Sequence, residues 1–109
     1  MFLEPSKFLG KSFIYTSDRR LKENIATLPD ALEKILGLRG VYFDWKRDGK
    51  GEIGLIAQEV EDIYPDLVIT DKKSGLKAVK YGNIVAPLIE AIKAQQKMIE
   101  NQRKMIEQQ

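Results

Sequence analysis

The chain contains no cysteine and no histidine. Without cysteine there is no disulfide and no thiol nucleophile. Without histidine there is no Ser-His or Cys-His nucleophile pair and no histidine-based metal site. Any acyl-transfer chemistry must use Ser, Thr, Lys, Tyr or carboxylates. Charge of one sign is scarce as well: 18 basic residues face 16 acidic ones, for a formal net charge of +2. A dedicated nucleic-acid binder carries a strong basic excess, so no nucleic-acid partner is expected. No apolar run approaches the ~20 residues of a membrane span, so no membrane partner is expected. The opening "MFLEPSKFLGKSF" lacks the charged start and long apolar centre of a signal peptide. Asp44, Asp48, Glu59, Glu61 and Asp62 do not follow a metal-loop spacing. Neither a metal nor any other cofactor is expected.

What is present fits about one globular domain of 109 residues, 43% hydrophobic and 31% charged. Three zones are read along it. Residues 1–16 mix aromatics with Gly and Pro and have no core of their own, as the end of an upstream strand-rich body would. Residues 17–82 read as a compact α+β unit. In "PDALEKILGLRG", Pro29-Asp30 opens a helix, Leu32, Ile35 and Leu36 share a face, and Gly37 or Gly40 ends it. "GVYFDWK" is a strand with Val41, Phe43 and Trp45 on one side, and Asp48-Gly49 marks a tight turn. "EIGLIAQEVEDIYP" runs from a short strand into a helix carrying Ile56, Val60 and Ile63, stopped by Pro65. "DLVIT" and "LKAVKY" are two strands around "DKKSG".

Residues 83–109 read as one long helix, with Asn83 as N-cap and Pro87 early enough to be tolerated. "KMIE" at 97–100 returns at 104–107, seven residues later. Leu88, Ile92, Gln95, Ile99, Gln102 and Ile106 are spaced 4, 3, 4, 3, 4, a coiled-coil seam. A second register through Leu88, Ala91, Gln95, Met98, Gln102 and Met105 overlaps it. A seam this wide fits more than two helices, and a helix this polar elsewhere needs partners. The alternative is a helix folded back on its own domain.

The stretch "SDRRLKENI", Ser17 to Ile25, places one hydroxyl and three basic side chains within six residues. Ser17 and Lys22 form a possible serine–lysine dyad, in which a neutral amine takes the hydroxyl proton. A lysine amine must be lowered from about 10.4 to serve near neutrality. Burial and neighbouring positive charge both lower it, and Arg19 and Arg20 supply charge without competing as bases. The nearest carbonyl to Ser17 Oγ is that of Thr16, so the reaction would be self-cleavage between Thr16 and Ser17, with backbone N–H groups holding the oxyanion. Residues five apart point away from each other in a helix and to opposite faces in a strand. Either the segment turns between them or Lys22 comes from another chain. A solvated basic turn is the plainer reading. Asn24 reads as a turn contact or an oxyanion donor. In "GLIAQEVE", Gln58, Glu59 and Glu61 read as two faces of a short helix, or as holding the upstream stalk or orienting Lys22. Tyr42, Phe43 and Trp45 read as a core strand or a sugar-gripping cluster.

"SDRRLKENI", "ALEKILGLRGVYFDWK", "IGLIAQEVEDIYPDLV" and "VKYGNIVAPLIEAIKAQQ" occur in that order. Together they resemble the C-terminal intramolecular chaperone domain of phage tailspikes and tail fibres, the peptidase S74 family, over about residues 17–109. The resemblance implies a homotrimer that guides folding of the β-rich fibre upstream in the same polypeptide and then cuts itself off. It implies Ser17 as nucleophile, Lys22 as general base, and a cut just before Ser17. It also implies assembly in the host cytoplasm, with the fibre kept in the virion tail and the chaperone fragment left out. Two rivals remain: a trimerisation module that never cuts, and a related domain whose cleavage frees a transcription factor from a membrane anchor. The expected architecture is α+β, a small helix/strand unit followed by a long helix in a trimeric coiled coil.

Overall fold

A computed structural model of the chain describes residues 14–109. Most of the expected upstream segment, residues 1–16, lies outside them. The described chain begins as an arm in which every residue from Ile14 to Asp30 is exposed. A single 3-10 turn, Arg19–Leu21, interrupts it. Helix α1, Ala31–Leu36, follows. Asp30 stands at its N-cap in the left-handed region, φ 55°, and its side chain makes no capping hydrogen bond. Aspartate is among the few residues that tolerate this conformation. Gly37 closes the helix, its N–H donating to the Lys34 carbonyl at 3.0 Å. Ala31 is buried and Ile35 half-buried, whereas Leu36, expected on the same face, is 73% exposed. The buried edge runs through Ala31 and Ile35, and Leu36 stands about 140° around the helix from Ala31.

Strands β1, Val41–Asp44, and β2, Gly51–Gly54, form an antiparallel hairpin with Val41 opposite Gly54 and Phe43 opposite Glu52. Val41 and Phe43 are half-buried and Tyr42 is exposed, the alternation of a strand with one face covered. Gly49 supplies the positive φ, +72°, that the connecting turn requires. Helix α2, Ala57–Ile63, comes next, and Pro65 opens a 3-10 turn, Pro65–Leu67, that ends the helical run. Strands β3, Val68–Thr70, and β4, Lys77–Val79, form a second antiparallel hairpin. Asp71 organises its turn by accepting from the Ser74 N–H at 2.9 Å and the Ser74 hydroxyl at 2.8 Å. The architecture is α+β, with two separate two-stranded sheets.

The core is small. Val60, Tyr64 and Leu67 are buried together, and Ile35, Leu38, Leu55, Ile63, Val68, Val79 and Ile84 pack around them. Val60, the middle of the expected Ile56–Val60–Ile63 stripe, is 1% exposed.

The last helix, α3, spans Val85–Glu107 and is about 34 Å long. It begins later than the sequence indicates. Asn83 is not its cap: it lies inside a 3-10 turn, Tyr81–Ile84, and Ile84 holds the N-cap position without a side-chain bond. Long-range bonding fixes that turn. The Leu55 N–H donates to Tyr81 Oη at 2.9 Å. Pro87 is the third residue of α3, where a missing N–H costs nothing, and it is buried. The first half of α3 packs on α1 through the side carrying Pro87, Ala91 and Ala94. Leu88, Ile92, Gln95, Ile99, Gln102 and Ile106 are all exposed, with Ile92 at 64% and Ile106 at 69%. Ala91, which the overlapping register would use, is 4% exposed and taken up by the chain's own packing.

Candidate active site

Ser17 and Lys22 meet within one chain. The Lys22 Nζ donates to Ser17 Oγ at 2.6 Å. The 3-10 turn between them makes this possible. Leu21 N–H donates to the Asp18 carbonyl at 3.1 Å and Lys22 N–H to the Arg19 carbonyl at 3.0 Å. Asp18 and Lys22 on either side of the turn are extended. An extended entry, one tight turn and an extended exit bring together two side chains that a continuous helix or strand would keep apart.

Asp18 holds that turn, and sequence reasoning passes over it. Its carboxylate caps the turn by accepting from the Arg20 N–H at 2.8 Å. It also takes both ends of the Arg20 guanidinium, Nε at 3.1 Å and Nη2 at 2.9 Å. The Arg20 guanidinium, and after it the Arg20 N–H, hold the Asp18 carboxyl below the usual carboxylate range. An Asp directly before a tight turn is the signal that marks it. The pairing changes the account of the basic cluster, since the charge of Arg20 is answered by Asp18. Arg19 makes no ion pair among the described residues and is the remaining cation of the pair assigned to act on Lys22. Asn24 is left-handed, φ 55°, and turns the arm after Lys22. Thr16, Ser17 and Lys22 are all exposed.

The remaining polar positions brace the body. Glu59 receives Arg39 in a two-pronged pair, both distances 2.9 Å, and this hydrogen bonding holds its carboxyl below the usual range. Glu61 accepts from Lys77 Nζ at 3.0 Å, and the same ammonium donates to Thr70 Oγ1 at 2.7 Å. That pair ties α2 to the second hairpin. Gln58 is exposed and lines an open groove with Phe43, Trp45, Leu55 and Tyr81. Trp45 is 41% exposed and stands edge-on to Phe43, ring centres 4.9 Å apart, with the Arg47 guanidinium over its face. Of the three aromatics, Phe43 alone faces the body, while Tyr42 is 86% exposed.

Comparison with known proteins bears on the same segment. Residues 17–69 match the Peptidase_S74 family model, described as chaperone of endosialidase, and the match begins at Ser17. Over 85 residues the chain is 34% identical to the long tail fiber protein Gp37 of Enterobacteria phage K3, covering 71% of this chain and 7% of that protein. It is equally similar to the Gp37 long tail fiber protein of Enterobacteria phage T2, where it covers 6%. The chain thus spans less than a tenth of the length of these relatives. Through residues 17–69, beginning at the serine that Lys22 contacts, the chain belongs to the chaperone-of-endosialidase family, Peptidase_S74.

Proposed function

We propose that this chain is a self-cleaving intramolecular chaperone for an upstream, β-rich phage tail-fibre segment of the same polypeptide. It associates as a homotrimer through the seam of α3 and then separates by cleavage between Thr16 and Ser17. The observation that carries the reading is the 2.6 Å contact between Lys22 Nζ and Ser17 Oγ. Ser17 Oγ attacks the Thr16 carbonyl carbon while Lys22, as the neutral amine, accepts the hydroxyl proton. The proton passes to the Ser17 nitrogen as the C–N bond breaks, leaving Thr16 esterified to Ser17 Oγ. Water then hydrolyses the ester to a Thr16 carboxylate and a free Ser17 hydroxyl. Loss of a proton from the ammonium must come first, and desolvation favours it. The arm is exposed in the single chain, so the desolvation falls to neighbouring chains.

The chaperone role follows from chain topology. Intertwined β-fibres are rich in non-local contacts and fold slowly, with open strand edges. A C-terminal trimer aligns three chains and raises their effective concentration. Cleavage afterwards removes the guide and makes the fibre's stability kinetic. The exposed seam of Leu88, Ile92, Ile99 and Ile106 supports self-association. The fibre's assembly in the host cytoplasm and the loss of the chaperone fragment from the virion belong to the same reading.

The test is intact mass under denaturing conditions for wild type, Ser17→Ala and Lys22→Ala. A wild-type product beginning at Ser17, with both variants full length, is the expected result. Three full-length proteins would leave a trimerisation module that does not cut.

A further inference from the structure

Two residues upstream of Ser17, the arm touches the folded body. The outer edge of the Tyr15 ring lies on the bare Cα of Gly82. A β-carbon on Gly82 would stand 2.5 Å from Tyr15 Oη and 2.8 Å from its Cε2 and Cζ. Real non-bonded atoms do not approach so closely, so the contact exists because residue 82 is glycine. Its φ is not in the left-handed region, so the backbone does not require glycine there. The need for glycine comes from the ring.

Gly82 sits on a fixed element. The 3-10 turn Tyr81–Ile84 is anchored at one end by the Leu55 N–H on Tyr81 Oη, 2.9 Å, and at the other by Ile84 against the core. Only Thr16 separates Tyr15 from Ser17, and no helix or turn lies between them. Seating Tyr15 therefore restricts where the segment that carries Ser17 can lie. The Thr16–Ser17 peptide is held upstream by Tyr15 on Gly82 and downstream by Lys22 on Ser17 Oγ.

We infer that Tyr15 and Gly82 form a positioning contact for the cut, Gly82 being the seat for an aromatic side chain two residues before the scissile bond. The inference rests on the self-cleavage reading. It makes presentation of the scissile bond depend on a folded body, because the seat does not exist until the turn at Tyr81–Ile84 has formed. Misplacing a reacting group by about 1 Å costs up to about a hundredfold in rate. Tyr15 is 65% exposed, so the seat is shallow, and a loss of about tenfold is expected.

The experiment follows cleavage of the full chain by intact mass over time, for wild type, Tyr15→Ala, Tyr15→Phe, Gly82→Ala and Ser17→Ala, with a thermal melt of each. Gly82→Ala meets the far end of a movable side chain, so it unseats Tyr15 while the melt stays near wild type. If its melt falls, Tyr15→Ala carries the test, since residue 15 is outside the core. Tyr15→Ala and Gly82→Ala should cut about tenfold more slowly, and Tyr15→Phe, which keeps the ring, at close to the wild-type rate. A purely structural role would not give that rescue. Wild-type rates in both Tyr15→Ala and Gly82→Ala, with Ser17→Ala uncut, would overturn the positioning role and leave self-cleavage standing. A wild type that stays whole would remove both.

Discussion

Lys22→Arg separates the contact Lys22 makes from the base role proposed for it. The lysine donates to Ser17 Oγ at 2.6 Å, which an ammonium does, and the proposed chemistry needs the same nitrogen to accept a proton. Arginine keeps the cation and the donor but stays protonated at any working pH. A hydrogen bond that only orients Ser17 would survive the change, and a general base would not. General-base catalysis by a placed side chain contributes about 10²–10⁴-fold, so Lys22→Arg should cut at least about a hundredfold more slowly. A general base works only in its deprotonated form, so the wild-type rate should rise with pH. Lys22→Arg should lose that slope. The assay is the single-turnover rate constant from intact mass, at several pH values and constant ionic strength. A Lys22→Arg rate within about threefold of wild type, or a wild-type profile flat in pH, would refute the role of Lys22 as base.

Two further outcomes test the surfaces around the site. Ile92→Asp places a charge in the middle of the exposed seam on α3, so the proposed trimer should give way to monomer in sedimentation with the helical signal of the chain retained; an unchanged oligomer would put the interface elsewhere. Arg39 lowers the Glu59 carboxyl in the folded chain, so this pair contributes stability that is fully present above the unfolded value of about 4.3 and is lost as pH falls through the lower folded value. Glu59→Gln should therefore lower the urea midpoint at pH 7, and its gap from wild type should close between pH 5 and pH 3; a gap constant with pH would mean that the effect is packing and not charge.

The parts of this fold legible in the sequence are those set by neighbouring residues. Alternation in "VYFD", Gly49 in its turn, Pro65 after α2 and the Asp71–Ser74 turn each act within a few positions, and both hairpins and α2 fall where the pattern puts them. The spacing of Leu88, Ile92, Gln95, Ile99, Gln102 and Ile106 is local in the same sense, and all six stand exposed on one helix. What failed depended on contacts from afar. Leu36 looked like core because the face of α1 cannot be chosen without knowing that α3 lies against Ala31 and Ile35. Asn83 looked like a cap because nothing nearby reveals that Tyr81 reaches across to Leu55 and winds the residues ahead of α3 into a tighter turn.

The site divides along the same line, and the division bears on how the molecule works. Residue type alone leaves Ser17 and Lys22 a weak pair, which the family resemblance singles out, and their meeting depends on Asp18, whose cap and pairing with Arg20 shape the turn between them. That arrangement is local to the arm and owes nothing to the core, since no residue from Ile14 to Asp30 is buried. A dyad that can assemble without the body would, on the self-cleavage reading, risk cutting before the guide has done its work. Two features stand against that risk. The arm is open to water in the single chain, and water favours the charged form of an amine, which cannot accept a proton. The segment before the cut is seated only on the turn at Tyr81–Ile84, which exists once Tyr81 has bonded to Leu55 and Ile84 has joined the core. On the proposed self-cleavage reading, reagents held ready on an exposed arm, with presentation tied to the folded body and desolvation to neighbouring chains, would give an order of events in which folding and association precede cleavage.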